Sequence, residues 1–187
     1  MENSRLNFCP ALDFLKSGKL DGYTCGNKNL DEFIHSGYYD AAKRHLTTLN
    51  VVLLGDIPVG MYALSASSNS AIGADENRQK VFKEASLQPK LPLFSIDHLS
   101  VQKQFQYGQK TEDWHIGTVI LEHIFELLVK MGDEYGIAFA GIQVESVDDA
   151  IEFYTKNGFY FIDKNEEMNP TKKTSILAIS YDDIVAK

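Results

Sequence analysis

Two stretches of this 187-residue chain combine residue types and spacings that suit chemistry. The first is Trp114-His115-Ile116-Gly117-Thr118, where a polar run gives way to an apolar periodic one. That change predicts a helix start, which presents unpaired N–H groups and a partial positive charge. Such groups suit a pyrophosphate. The second is Ala150-Ile151-Glu152-Phe153-Tyr154-Thr155-Lys156-Asn157-Gly158-Phe159. It reads as a short amphipathic helix closed by a glycine and followed by the aromatic start of a strand. Phe153 and Phe159 belong to the core in this reading. Tyr154 takes another part of the helix surface, a hydroxyl at the edge of a cleft that can give up a proton.

Other reactive residue types form no pattern. His35, His45, His98, His115 and His123 show no HxH or HxxxH spacing, so no metal site is expected. Cys9 and Cys25 form no CxxC pair and fit a reducing compartment. Lys43-Arg44-His45 is a small basic patch at a helix end, where it offsets the helix dipole.

These stretches need a framework. The run 5–16 suggests a first strand, and Asn29 a helix N-cap, with Leu30, Phe33, Ile34 and Tyr38 at helical spacing. Residues 50–55 and 59–67 read as a hairpin around Asp56-Ile57-Pro58. The polar run 68–90 reads as a surface excursion with a helical turn near 76–86, and 93–102 as a strand. The clearest helix covers 114–135, with Ile116, Ile120, Ile124, Leu127, Leu128 and Met131 on one face. Strands over 137–144, 159–162 and 173–180 complete the order. The strand–long helix–strand unit over 93–144 has the length of a crossover between parallel neighbours. The expectation is one α/β domain over residues 1–187, a mixed sheet with helices on its faces.

Composition sets further bounds. Apolar residues make up 44% and charged residues 24%, an ordinary globular balance. Net charge is −8, which repels polyanions and disfavours nucleic acid unless a local basic patch overrides it. The N-terminal residues lack a basic then apolar leader, and no apolar run nears the roughly 20 residues of a membrane span. A cytoplasmic location without membrane contact is the expectation.

Together these features resemble the GNAT superfamily of N-acetyltransferases. Ala150, Phe153, Tyr154, Gly158 and Phe159 match its C-terminal AxxFYxxxGF string. Ile96-Asp97-His98-Leu99-Ser100-Val101 resembles the family's fourth strand, and the helix from His115 its third helix. Thr24-Cys25-Gly26, then Leu30-Asp31-Glu32-Phe33-Ile34 and Val59-Gly60-Met61-Tyr62-Ala63-Leu64, look like the branch that includes toxins acetylating charged tRNA. The likeness spans roughly residues 20–162. The acyl-CoA loop Q/R-x-x-G-x-G/A is altered. With Gly117 as its last glycine, His115 replaces the first and Glu112 the leading residue. Alternatively Gln106 leads, and the loop is six residues longer. A histidine there adds bulk, and Glu112 with Asp113 adds repulsion.

The resemblance implies a mostly antiparallel sheet of six or seven strands flanked by helices, with a splayed acyl-CoA cleft. Acetyl-CoA is the implied cosubstrate, with no metal, and a primary amine of a small molecule or protein the implied acceptor, attacking the thioester directly. Aminoacyl-tRNA, or a degenerate domain that binds CoA or a partner without catalysis, are the alternatives. Leu99 and Val101 would bind pantetheine through their backbone. His115, Ile116, Gly117 and Thr118 would receive the pyrophosphate. Asp97 or His98 would take the amine's proton, and strand alternation puts them on opposite faces, with Asp97 preferred. Tyr154 would protonate the leaving thiolate. Dimers are common in this fold, so a homodimer is compatible with the reading.

Overall fold

The computed structural model describes residues 6–12, 14, 18, 20–70, 76–106, 108, 115–168 and 174–187. The β-branched and aromatic runs form strands β1 (Leu6–Pro10), β2 (Thr48–Leu54), β3 (Ile57–Ser70), β4 (Lys90–Val101), β5 (Gly141–Val147), β6 (Tyr160–Phe161) and β7 (Thr174–Ser180). They make one sheet in the order β1-β2-β3-β4-β5-β7-β6. Pairs β1–β2, β2–β3, β5–β7 and β6–β7 are antiparallel, and β4–β5 is parallel, as the crossover length predicts. By packing, the chain divides into two compact units: residues 1–65 with 97–124, and residues 66–96 with 125–187.

In the first unit, the predicted hairpin turns at Gly55, whose φ of 60° favours glycine, and Asp56. Its register slips between Val52 and Leu53, so Leu53 faces Pro58, a residue with no N–H to give a ladder. Leu49, Val51 and Leu53 alternate inward and pack with Met61, Ala63, Leu20, Tyr23, Ile34 and Tyr38. Ile34 and Tyr38 come from a helical segment in three parts: α1 (Lys28–Glu32), a π turn (Phe33–Gly37) and α2 (Tyr38–Lys43). Its cap is Asn27 rather than Asn29. The Asn27 Oδ1 accepts from Asn29 N at 3.1 Å and Leu30 N at 3.3 Å, which sets the helix start two residues earlier than the apolar spacing implies. The long helix α4 (Ile116–Tyr135) begins against β3. A Cβ on Gly60 would lie 2.6 Å from Ile120 Cδ1 and 3.6 Å from Ile116 Cγ2, so glycine permits this close approach.

In the second unit, Val81, Phe82, Leu91, Leu93, Ile162 and Ala178 form the core. This corrects the expected surface excursion over 68–90. Strand β3 runs on to Ser70, and helix α3 (Glu76–Phe82) buries Val81 and Phe82 to 2% and 4% exposure. Two adjacent apolar residues inside a polar run are enough to anchor one helical turn. Residues 71–75 of that stretch lie outside the described residues. The strand expected over 137–144 is shifted to Gly141–Val147. Gly141 faces Ser180, where β7 gives way to α7 (Tyr181–Val185), so the ladder starts there, and Ala140 before it keeps single bonds to Pro92 O and from Tyr181 N. Helix α5 (Ile151–Lys156) follows the expectation, whereas α6 (Lys164–Met168) and α7 were not anticipated. Among the described residues no helix is long and apolar enough to cross a membrane.

Gly141 is the tightest point of the second unit. A Cβ there would run into the Ile179 carbonyl oxygen, 3.0 Å from Phe82 Cε1 and 3.1 Å from Ser180 Cα. Two of these are backbone atoms, which move only with the ladder. Gly141→Ala is therefore expected to lower stability by about 2–3 kcal/mol, the upper range for overpacking, measured by urea unfolding.

Candidate active site

The end of β4 carries the expected carboxylate and imidazole. Buried positions slip by one across Phe94 and Ser95: Leu91 and Leu93 precede it, and Ile96, His98 and Ser100 follow. This puts His98 inside, at 2% exposure, and leaves Asp97 exposed. The two do face different surroundings, as alternation requires. Asp97 Oδ2 accepts from Thr47 Oγ1 at 2.7 Å, and Oδ1 from Ser65 Oγ at 2.9 Å.

His98 ends a buried polar chain. Tyr23 Oη and Ser100 Oγ are 2.8 Å apart, and Ser100 Oγ and His98 Nε2 are 2.7 Å apart. The Phe33 ring, from the π turn, stacks on His98 at 5.4 Å between centroids. His98 Nδ1 is buried without a hydrogen-bond partner. Burial pushes the imidazole down from 6.5 to about 4, with Asp31 pulling weakly the other way. His98 is therefore neutral at pH 7 and cannot reach an acceptor in solvent.

Beyond Ser100 the chain is clasped by residues 22–25. Gln102 Oε1 accepts from Thr24 N at 2.7 Å, and Lys103 N donates to Thr24 O at 2.8 Å. Gln106 Nε2 donates to Cys25 O at 2.8 Å and to Val101 O at 3.0 Å. Asp31 completes the clasp by accepting from Thr24 Oγ1 at 2.6 Å and Cys25 N at 2.8 Å. Leu99 and Val101 are both half-buried, and the Val101 carbonyl is taken up by Gln106. Gln106, one of two candidates for the leading position of the acyl-CoA loop, thus has a structural task.

At the start of α4, His115 has a φ of +41°, left-handed backbone that glycine adopts freely and other residues rarely do. This is the position where the resembling loop has its first glycine. His115 O accepts from Thr118 N at 2.8 Å and from Val119 N at 3.1 Å. Thr118, one of the residues expected to bind the anion, thus gives its N–H to the turn. Ile116 and Gly117 keep theirs, with no backbone acceptor among the described residues. The Ile116 side chain, 2% exposed, anchors the turn in the core. Glu112, Asp113 and Trp114 lie outside the described residues.

Tyr154 sits in α5, and the end of that helix explains the AxxFYxxxGF string physically. Gly158, at φ +85°, donates to Thr155 O, and Phe159 N donates to Tyr154 O at 3.1 Å. This is a Schellman closure, which calls for glycine at its left-handed position and an apolar contact between its two ends. The contact is Phe159 against Tyr154, rings edge to face at 5.4 Å. Tyr154 is 5% exposed, and Phe153 is only half-buried, the reverse of the sequence expectation. Burial raises the Tyr154 hydroxyl well above the ordinary tyrosine value, so it stays protonated. No group among the described residues hydrogen-bonds to that hydroxyl.

Tyr23, Ser100, Thr47 and Ser65 carry no sequence signal. Their bonds join residues 77, 50 and 32 positions apart, beyond any local pattern. Among the described residues no group of histidine, cysteine or carboxylate side chains suits a metal ion. The buried His98 makes a pH-dependent contribution. Below pH 6.5 the unfolded chain takes up a proton that the folded chain refuses until about pH 4. Stability is expected to be full above pH 6.5 and to fall by about 3 kcal/mol toward pH 4 from this group. In denaturant titrations from pH 7 to 4.5, His98→Gln should show a shallower loss than the wild type.

No family profile matches the chain, and no curated protein sequence does. Solved structures do. A tyrosine-to-phenylalanine mutant of KacT is similar at a TM-score of 0.73 and 19% identity, covering 97% of this chain and 98% of that one. AtaTR bound with acetyl-CoA is similar at 0.72 and 16%, covering 97% and 96%. AtaT complexed with acetyl-methionyl-tRNAfMet is similar at 0.71 and 15%, covering 97% and 98%. Over nearly its whole length the chain therefore has the fold of these proteins, the GNAT fold expected from its motifs.

Proposed function

We propose that this protein is an acetyl-CoA-dependent N-acetyltransferase of toxin type, whose acceptor is the amino group of aminoacyl-tRNA. The observation that carries the proposal is the likeness, across 97% of the chain, to AtaT complexed with acetyl-methionyl-tRNAfMet. The likeness to AtaTR bound with acetyl-CoA supports the cosubstrate. The net charge of −8 opposes nonspecific binding of RNA, yet Lys43 and Arg44 stand exposed at the end of α2 and offer a local cationic landing.

The reaction forms an N–C bond and breaks the thioester C–S bond. The acceptor nitrogen attacks the acetyl carbonyl carbon once it has lost a proton to Asp97. The Leu99 backbone N–H polarises the carbonyl and stabilises the oxyanion. Tyr154 donates its proton to the departing sulfur and is reprotonated by the second proton that the nitrogen sheds, so the products are a neutral amide and a neutral thiol. Ile116 and Gly117 N–H groups take the pyrophosphate at the head of α4. Holding both substrates together supplies much of the remaining rate.

Calorimetry with acetyl-CoA is the first test. Micromolar binding is expected for the wild type, weakened at least about tenfold in Gly117→Glu, whose carboxylate would face the pyrophosphate. His115→Gly, which relieves the left-handed backbone, should bind acetyl-CoA as tightly as the wild type or more so. The second test is expression in a bacterial host. Growth arrest with acetylated aminoacyl-tRNA in the wild type, and both lost in Tyr154→Phe, supports the proposal. Release of CoA with small amines and none with aminoacyl-tRNA would return the acceptor to the small-molecule class.

A further inference from the structure

We propose that Thr47 and Ser65 are positioning residues that aim the Asp97 carboxylate as an ammonium receptor, which restricts the acceptor to amines that arrive as cations. The inference rests on the acetyltransferase reading above. Each Asp97 oxygen accepts from one neutral hydroxyl, Thr47 Oγ1 at 2.7 Å and Ser65 Oγ at 2.9 Å. A carboxylate offers about four lone-pair sites, so two are filled and two remain. No lysine, arginine or histidine pairs with Asp97 among the described residues. An exposed anion is thus fixed in orientation from both sides while no described cationic side chain compensates its charge.

The hydroxyl geometry is specific. Thr47 is 9% exposed, and its Oγ1 also lies 3.3 Å from the Leu64 carbonyl. That carbonyl has a second donor, Thr48 Oγ1, at 3.2 Å. With Leu64 O served by Thr48, the single Thr47 hydroxyl hydrogen goes to Asp97, along the shorter contact. A threonine pair at the head of β2 therefore divides two acceptors between two donors. The remaining Asp97 lone pairs suit an ammonium, which brings three N–H donors and full charge. One of its protons passes to Asp97, the freed nitrogen attacks, a second leaves with the thiol, and Asp97 returns its proton to water. A neutral isostere of the acceptor would gain only an uncharged hydrogen bond.

The test compares equilibrium binding of aminoacyl-tRNA with that of the matching α-hydroxyacyl-tRNA, which replaces the ammonium by a hydroxyl. The wild type is expected to prefer the amino form by about tenfold. Thr47→Val with Ser65→Ala should bring that preference close to unity and raise the acceptor KM more than it lowers kcat. The acetyl-CoA Kd should stay unchanged, and Thr47→Ser should restore the preference. Equal binding of the two forms by the wild type, or a preference that survives the double variant, overturns the proposal. Binding of neither form by a protein that still binds acetyl-CoA overturns the tRNA reading, and this assignment with it.

Discussion

The clasp between residues 22–25 and the chain leaving β4 is the constraint on which the candidate site hangs. A strand end that is to offer its backbone to a ligand, as proposed for Leu99 and Val101, cannot also be held by a full ladder. Here the holding is done from the other direction, through Thr24, Cys25, Gln102, Lys103 and Gln106. Asp31 keeps the clasp shut by drawing Thr24 and Cys25 onto the first turn of α1. The Tyr23–Ser100–His98 chain adds a second row of bonds beneath the strand. Because Tyr23, Ser100 and His98 are buried, each partner lost from that second row costs about 1–3 kcal/mol, which stiffens the segment.

Local chemistry was legible in the sequence and long-range chemistry was not. The hairpin, the long helix and the closure at Gly158 follow from periodicity, turn residues and a glycine stop, which act over a few positions. The anchor of α3 was hidden because Val81 and Phe82 make too short an apolar signal to stand out in a polar run. The start of β5 depends on where β7 ends, a fact held some forty residues away. Of the candidate site residues, Tyr154 was named from the string, Asp97 from the likeness of its strand to the family's fourth, and the head of α4 from the helix start. The hydroxyls around Asp97 and the sealing of His98 arise only when distant strands come into register. His115 is the instructive case. The departure from glycine is visible in the sequence, and the φ of +41° shows that the backbone there keeps the glycine-like conformation.

Net charge and fold likeness point to different acceptors. A net −8 ranked small amines and protein amines above RNA as acceptors. The likeness to AtaT complexed with acetyl-methionyl-tRNAfMet is what supports the proposal of a tRNA acceptor. Total charge sums over the whole surface, whereas a nucleic acid meets a few side chains at a time, screened from the rest within about 8–10 Å at ordinary salt.

The π turn at Phe33–Gly37 bears on how this chain tolerates change in length. A π turn holds one residue more than the α-helix around it, and each residue of helix advances the face by about 100°. Deleting a single residue there would leave an unbroken α-helix and a shorter chain, with no hydrogen bond of the helix lost. It would also turn everything after it away from its partners. Tyr38, whose hydroxyl accepts from Leu49 N at 3.2 Å, would swing off β2, and Phe33 and Tyr38 could no longer serve the imidazole and the strand together. The extra residue acts as a phase shifter, letting one short rod meet two surfaces set at different angles.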